Sequence, residues 1–188
     1  MKIIALRGKA NTGKSTSLKM LIDMFDKNKF SVVECAALEP YSKKDSINAI
    51  NDAKNCLKKL LLLDSDIYAV FNVNDKYIGI TTQGDSAVYL NNSLNNINKA
   101  IMNKSMNGDE CAVFICSVRT YGNTCDFVSI NLKSEALFFL DKATLFLEKI
   151  QCERIVNLFN LEESHHKLNE LQAKEIFSSC KKLLKSMQ

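Results

Sequence analysis

The chain has 188 residues, enough to bury one substantial core, and is expected to form a single domain over residues 1–188. A hydrophobic fraction of 46% with 24% charged residues excludes a disordered chain. Lys and Arg exceed Asp and Glu by only 25 to 21, and the excess is spread in pairs such as Lys43-Lys44, Lys58-Lys59 and Lys181-Lys182, too diffuse to neutralise a run of nucleic-acid phosphates.

Lys2 to Arg7 contains Ile3-Ile4-Ala5-Leu6, an unbroken apolar run that predicts a strand buried on both faces of a parallel sheet. A glycine loop follows, and then Leu18, Leu21, Ile22 and Phe25 at the spacing of an amphipathic helix. Phe30 to Cys35 reads as a second strand, and Ile47, Ile50, Ala53, Leu57 and Leu60 mark a second helical stripe. Two strand-helix units in succession imply a parallel sheet covered by helices. Asp66 to Val73 and Tyr77 to Thr82 flank Asn74-Asp75-Lys76, which predicts a hairpin and hence an antiparallel edge in a mostly parallel fold. Leu90, Leu94, Ile97 and Ile101 define a helix whose polar face holds the asparagines of Asn91 to Asn98. Cys111 to Cys116 is a further buried strand, running into a polar loop from Ser117 to Thr120. Beyond it, a last strand over Glu135 to Leu140 and one helix over Ala136 to Ile150 fit equally well. Leu171, Ile176, Phe177, Cys180, Leu183, Leu184 and Met187 make a terminal helix from Leu168 onward.

Seven cysteines (Cys35, Cys56, Cys111, Cys116, Cys125, Cys152 and Cys180) form no C-x-x-C pair and an odd count, which suits neither a disulfide framework nor a zinc site. Reduced thiols in apolar runs, no leader-like start and no apolar run of membrane-spanning length lead to the expectation of a soluble, cytoplasmic protein.

Gly8-Lys9-Ala10-Asn11-Thr12-Gly13-Lys14-Ser15 fits the pattern G-x-x-x-x-G-K-[ST] in full and lies between a strand and an amphipathic helix. A loop returning from a strand to a helix N-terminus turns successive backbone N–H groups inward, the many-donor concavity that a polyphosphate requires. Gly8 and Gly13 are expected where a Cβ would hinder the backbone. With these residues, the first 35 or so positions resemble the opening of the P-loop NTPase superfamily. The resemblance implies a three-layer α/β/α fold, a nucleoside triphosphate with Mg²⁺, and a cradle made by Gly8, Asn11, Thr12, Gly13, Lys14, Ser15 and Thr16. Lys14 would reach the β and γ phosphates and the Ser15 hydroxyl would ligate Mg²⁺.

Such a site also calls for a carboxylate at the end of a neighbouring strand. Leu60-Leu61-Leu62-Leu63-Asp64 matches literally, but it continues a helical stripe and reads as structural. Asp85, after the strand Tyr77 to Thr82 and Gln83-Gly84, would be delivered to the carboxyl edge of the sheet as a metal or catalytic acid, and equally suits a helix N-terminus with Ser86. Arg119, after the strand Cys111 to Cys116, is a candidate phosphate or substrate clamp, with Tyr121, Asn123 and Thr124 weaker candidates in the same loop. Asn98-Lys99-Ala100-Ile101 and Asn103-Lys104-Ser105-Met106 lack the acid that selects guanine, and Asp85-Ser86-Ala87-Val88 lacks the glycine of D-x-x-G. ATP, or an unselective purine pocket, is therefore the expectation. Adjacent His165-His166 point different ways on a helix and do not make a metal site. Cys125 would be a nucleophile only with a base beside it in space.

The expected activity is a small kinase-like transfer of the γ phosphate from ATP to a small acceptor, with Lys14, Asp85 and Arg119 as catalytic residues and Ser15 and Asp85 on Mg²⁺. Arg7, Arg119 and Arg154 are the only arginines, too few for an arginine-rich lid. The alternatives are an ATPase or nucleotide-dependent switch that acts on a protein or other macromolecular partner, and a P-loop that binds without turnover.

Overall fold

The structure, a computed structural model, describes residues 1–38, 53–105, 108–132, 134–141 and 161–187. Lys43-Lys44, Ile47, Ile50, Cys152 and Arg154 lie outside the described residues. It is an α/β fold on a six-stranded mixed sheet, with strands β1 (Lys2–Gly8), β2 (Ser31–Leu38), β3 (Asp66–Val73), β4 (Lys76–Thr81), β5 (Cys111–Arg119) and β6 (Ala136–Asp141) in the order β2-β3-β4-β5-β1-β6. Pairing is parallel from β4 through β5 and β1 to β6, and antiparallel on both sides of β3. Only β3 runs against the rest, so its first residue, Asp66, arrives at the edge where the other strands end.

The hairpin follows from two residues. Asn74 and Asp75 take φ of 51° and 59°, the pair of left-handed conformers that joins twisted strands with a two-residue turn. Its second strand lies inside the sheet: β4 pairs with β5, while β2 forms the edge.

Strand side chains alternate between two cores. Ile4 and Leu6 share a cluster with Leu18, Leu21, Ile22 and Phe25 of helix α1 (Lys14–Lys27), with Leu57 and Leu60 of α2 (Ala53–Leu61), and with Ala173, Ile176 and Cys180 of α4 (Leu161–Lys185). Ile3 and Ala5 face the opposite cluster, built on Leu90, Leu94, Ile97 and Ile101 of α3 (Ala87–Lys104). Phe25 locks the first cluster, with ring centroids 5.0 Å from Phe71 and 5.1 Å from Phe177.

The terminal helix starts at Leu161, earlier than its apolar stripe suggests, and His166 is exposed on it beside half-buried His165. Residues 136–141 form a strand, which settles that segment against the helical alternative. Cys35, Cys111, Cys116 and Cys180 are buried cysteines. Burial pushes the Cys111 and Cys180 thiols up to about 12, as expected of inert core sulfur. No helix among the described residues is long and apolar enough to cross a membrane.

Candidate functional site

Gly8 ends β1 and Lys14 begins α1, leaving a five-residue loop between them. The left-handed backbone that this return requires is carried by Asn11 (φ 56°) and Gly13 (φ 79°); Gly8 stays in the strand and has no such need. At Gly13 space is also restricted, since a Cβ would stand 2.7 Å from the side-chain oxygen of Asn169 on α4. Gly13 is the N-cap of α1, and among the described residues neither a capping side-chain hydrogen bond nor a first-turn acid satisfies that helix end. The positive end of the helix and its amide groups are thus left for something else.

The loop is braced by its own residues. Thr12 Oγ1 donates to the Lys9 carbonyl at 2.9 Å. Lys14 Nζ donates to the carbonyls of Gly8 at 3.0 Å and Lys9 at 2.6 Å, so its ammonium lies across the loop, and the residue as a whole is only 7% exposed. Burial pulls the Lys14 pKa below its ordinary value, with the Asp85 carboxylate opposing the shift and the Arg119 guanidinium adding to it.

These groups open onto a cavity of about 400 Å³, within the range of small-molecule sites. Asn11, Thr12, Gly13, Lys14, Ser15 and Thr16 line one side, and Asp66, Thr82, Gly84, Asp85, Ser117 and Arg119 the other. The sheet order explains the meeting: β5 is inserted between β1 and β4, which sets the ends of β3, β4 and β5 opposite the loop.

Asp85 and Arg119 come together at the mouth, with Arg119 Nε donating to Asp85 Oδ1 at 3.0 Å. Ser86, next to Asp85, is the N-cap of α3 and accepts from the Tyr89 amide at 3.4 Å. Arg119 is not in a loop as its polar neighbours predict. It is the last residue of β5, because Ser117 and Val118 are buried and continue the ladder opposite Leu6 and Arg7. Among the weaker candidates, Thr124 is buried and accepts the Arg119 amide at 3.0 Å, a structural contact, whereas Tyr121 is exposed. Asp64 is exposed and does not line the cavity.

Three rim residues escape the sequence motifs. The Thr82 carbonyl accepts from Ser15 Oγ at 3.2 Å and from Ser117 Oγ at 2.9 Å. Thr82 Oγ1 donates to Asp66 Oδ1 at 2.7 Å and accepts the Ile67 amide at 2.9 Å. Asp66 and Thr82 sit in runs that read only as strands and Ser117 opens the polar loop expected after Cys116, so the one signal they carry is a polar residue at a strand end.

Cys125 has Arg7, a cation and not a base, beside it. Arg7 itself is held by Asp141 at the end of β6, with bonds of 2.7 Å and 3.0 Å. No protein-family model, no curated protein and no solved structure matches this chain.

Proposed function

We propose that this chain is a P-loop NTPase with the three-layer α/β/α fold of that superfamily, binding ATP and Mg²⁺ and transferring the γ phosphate to a small acceptor. The observation that carries the reading is the uncapped N-terminus of α1 facing, across one cavity, the Asp85–Arg119 pair. A triphosphate there would take the amides at the start of α1 and draw Lys14 Nζ from the Gly8 and Lys9 carbonyls to its own oxygens. Arg119 stands on the far side, where a cation can offset charge on the transferred group. Thr12 and Asn11 shape the loop, and Thr16 lies exposed in the first turn of α1, at the cavity wall.

The donors suit a hard cation. Among the described residues Ser15 Oγ is engaged only by a neutral carbonyl, and Asp85 and Asp66 supply carboxylate oxygen around the same space. Among the described residues no group of three His, Cys, Asp or Glu is placed to hold a metal by itself, which fits a cation that arrives with phosphate oxygens. Bound Mg²⁺ neutralises charge on the β and γ oxygens.

A second reading, an ATPase or nucleotide-dependent switch, is favoured by the cation count. Among the described residues Lys14 and Arg119 are the only basic side chains lining the cavity, a thin provision for a phosphorylated acceptor. Labelled ATP with Mg²⁺, incubated with and without a metabolite mixture, separates the two: acceptor-dependent label transfer supports the kinase, and phosphate release stimulated by a protein partner supports the switch. Lys14→Ala is expected to weaken ATP binding by about 10- to 100-fold, the loss of a charge-assisted contact of roughly 1.5–3 kcal/mol. Unchanged affinity in that variant would overturn the assignment of the cradle.

A further inference from the structure

We propose that Asp66, the first residue of β3, is a metal-positioning carboxylate of this site, serving the Mg²⁺ that accompanies the triphosphate; the assignment rests on reading Gly8 to Ser15 as a triphosphate cradle. No motif leads to Asp66. It reaches the cavity because β3 alone is antiparallel, so that this strand begins where its neighbours end.

Its connection to the expected metal ligand is short. Asp66 Oδ1 accepts from the Thr82 hydroxyl at 2.7 Å, and the carbonyl of that same Thr82 accepts from Ser15 Oγ at 3.2 Å. Thr82 is buried and its hydroxyl is committed on both sides, donating to Asp66 and accepting the Ile67 amide, which fixes the carboxylate's position. Preorganised carboxylates of this kind orient a metal and its ligands even where they do not touch it.

Charge separates Asp66 from Asp85. Asp85 Oδ1 is occupied by Arg119, and their charges offset each other. Asp66 has no ion pair among the described residues, and the only side chain that bonds it there is a neutral hydroxyl. A purely structural acceptor at this place would not need a charge: an amide would accept the Thr82 proton equally well, without a half-buried carboxylate to desolvate. The negative charge has a use if a cation comes to the space between Asp66, Thr82 and Ser15. With Asp85 holding Arg119 for the transferred phosphate, the two acids divide the work across the rim.

The test compares ATP affinity of the full chain, by titration calorimetry, in excess MgCl₂ and in EDTA. In the wild type Mg²⁺ is expected to tighten ATP binding. Asp66→Asn keeps an acceptor for Thr82 and removes the charge, so the Mg²⁺ gain is expected to shrink by about 10- to 100-fold. Affinity in EDTA should stay level or rise, because a charge repelling the triphosphate has gone. Asp66→Glu restores the charge at the expense of the hydrogen-bond geometry and is expected to recover part of the gain; a structural acceptor would tolerate Asn and suffer from Glu. Mn²⁺ with ATP, followed by the loss of its free-ion paramagnetic resonance signal, reports the same contact without turnover. A Mg²⁺ gain in Asp66→Asn equal to the wild type's would overturn the assignment while leaving the cradle in place, and so would a gain lost in Asp85→Asn alone. Failure of the wild type to bind ATP in either buffer would overturn both.

Discussion

The two walls of the cavity are made in different ways. On the α1 side, the contacts that shape the loop join residues at most six positions apart: Thr12 to Lys9, and Lys14 to Lys9 and Gly8. On the opposite rim, Thr82 reaches Asp66 across 16 positions, Arg119 reaches Asp85 across 34, Ser117 reaches Thr82 across 35, and Ser15 reaches Thr82 across 67. The cradle is a local object that a short sequence can specify. The rim exists only once β5 has been inserted between β1 and β4 and β3 has turned back on β4. Damage to strand packing should therefore dismantle the rim first.

The strongest way to break that contrast is Gly84→Ala. A Cβ on Gly84 would lie 2.0 Å from the Ser117 carbonyl oxygen, which is backbone in a central strand and has no rotamer through which to yield. The expected loss is about 3 kcal/mol or more in urea denaturation, at or above the upper end of ordinary overpacking. Gly13→Ala offers the matching damage to the cradle: φ of 79° disfavours the new side chain, and the first atom it meets is the mobile end of Asn169. A loss below about 1 kcal/mol in Gly84→Ala would show that the rim is not close-packed, and the contrast would fall.

The same contrast decides what can be read without coordinates. Gly8 to Ser15 declares itself because spacing along the chain is spacing in space, and the flanking apolar runs Ile3 to Leu6 and Leu18 to Phe25 become β1 and α1. Two glycines in a pattern do not tell which one carries the strained backbone, and it is Gly13 with Asn11. Asp85 and Arg119 are legible as polar residues after apolar runs, but their pairing is not. Ser117 reads as the start of a polar loop, yet β5 continues through it, its hydroxyl finding a partner in the Thr82 carbonyl. Asp66 and Thr82 are invisible for a similar reason, since only the direction of β3 brings them to the working edge.

A titration sharpens the comparison from the cradle side. Lys14 is buried without phosphate, which lowers its pKa, and a triphosphate in the cradle would raise it again. ATP affinity is then flat below the Lys14 pKa of the free protein and falls above it, by up to about tenfold per pH unit for one linked proton. Because that pKa is depressed, the fall begins at lower pH than an ordinary lysine would give. Stability of the free protein moves the other way: between the folded and unfolded pKa values the unfolded chain holds more protons, so stability rises with pH there. Calorimetry across the alkaline range in two buffers of different ionisation enthalpy should detect proton uptake on binding, and Lys14→Met should abolish it. An alkaline profile in Lys14→Met like the wild type's would assign the proton to another group.

The smallest effect belongs to the pair at the mouth. Arg119 and Asp85 are 44% and 64% exposed, so water and salt screen their attraction, and a double-mutant cycle with Asp85→Asn and Arg119→Gln should give a coupling of about 0.2–1 kcal/mol, decreasing as salt is added. The strand end does not depend on that pair, because the Arg119 amide is held separately by the Thr124 hydroxyl at 3.0 Å and Ser86 caps α3 beside Asp85. Both side chains can be replaced with the rim still standing, so a large loss of ATP turnover in either variant, with stability nearly unchanged, would place the pair's role in chemistry. A salt-insensitive coupling above about 2 kcal/mol would mean instead that the pair helps to hold β4 and β5 in place, and that this part of the rim is scaffold.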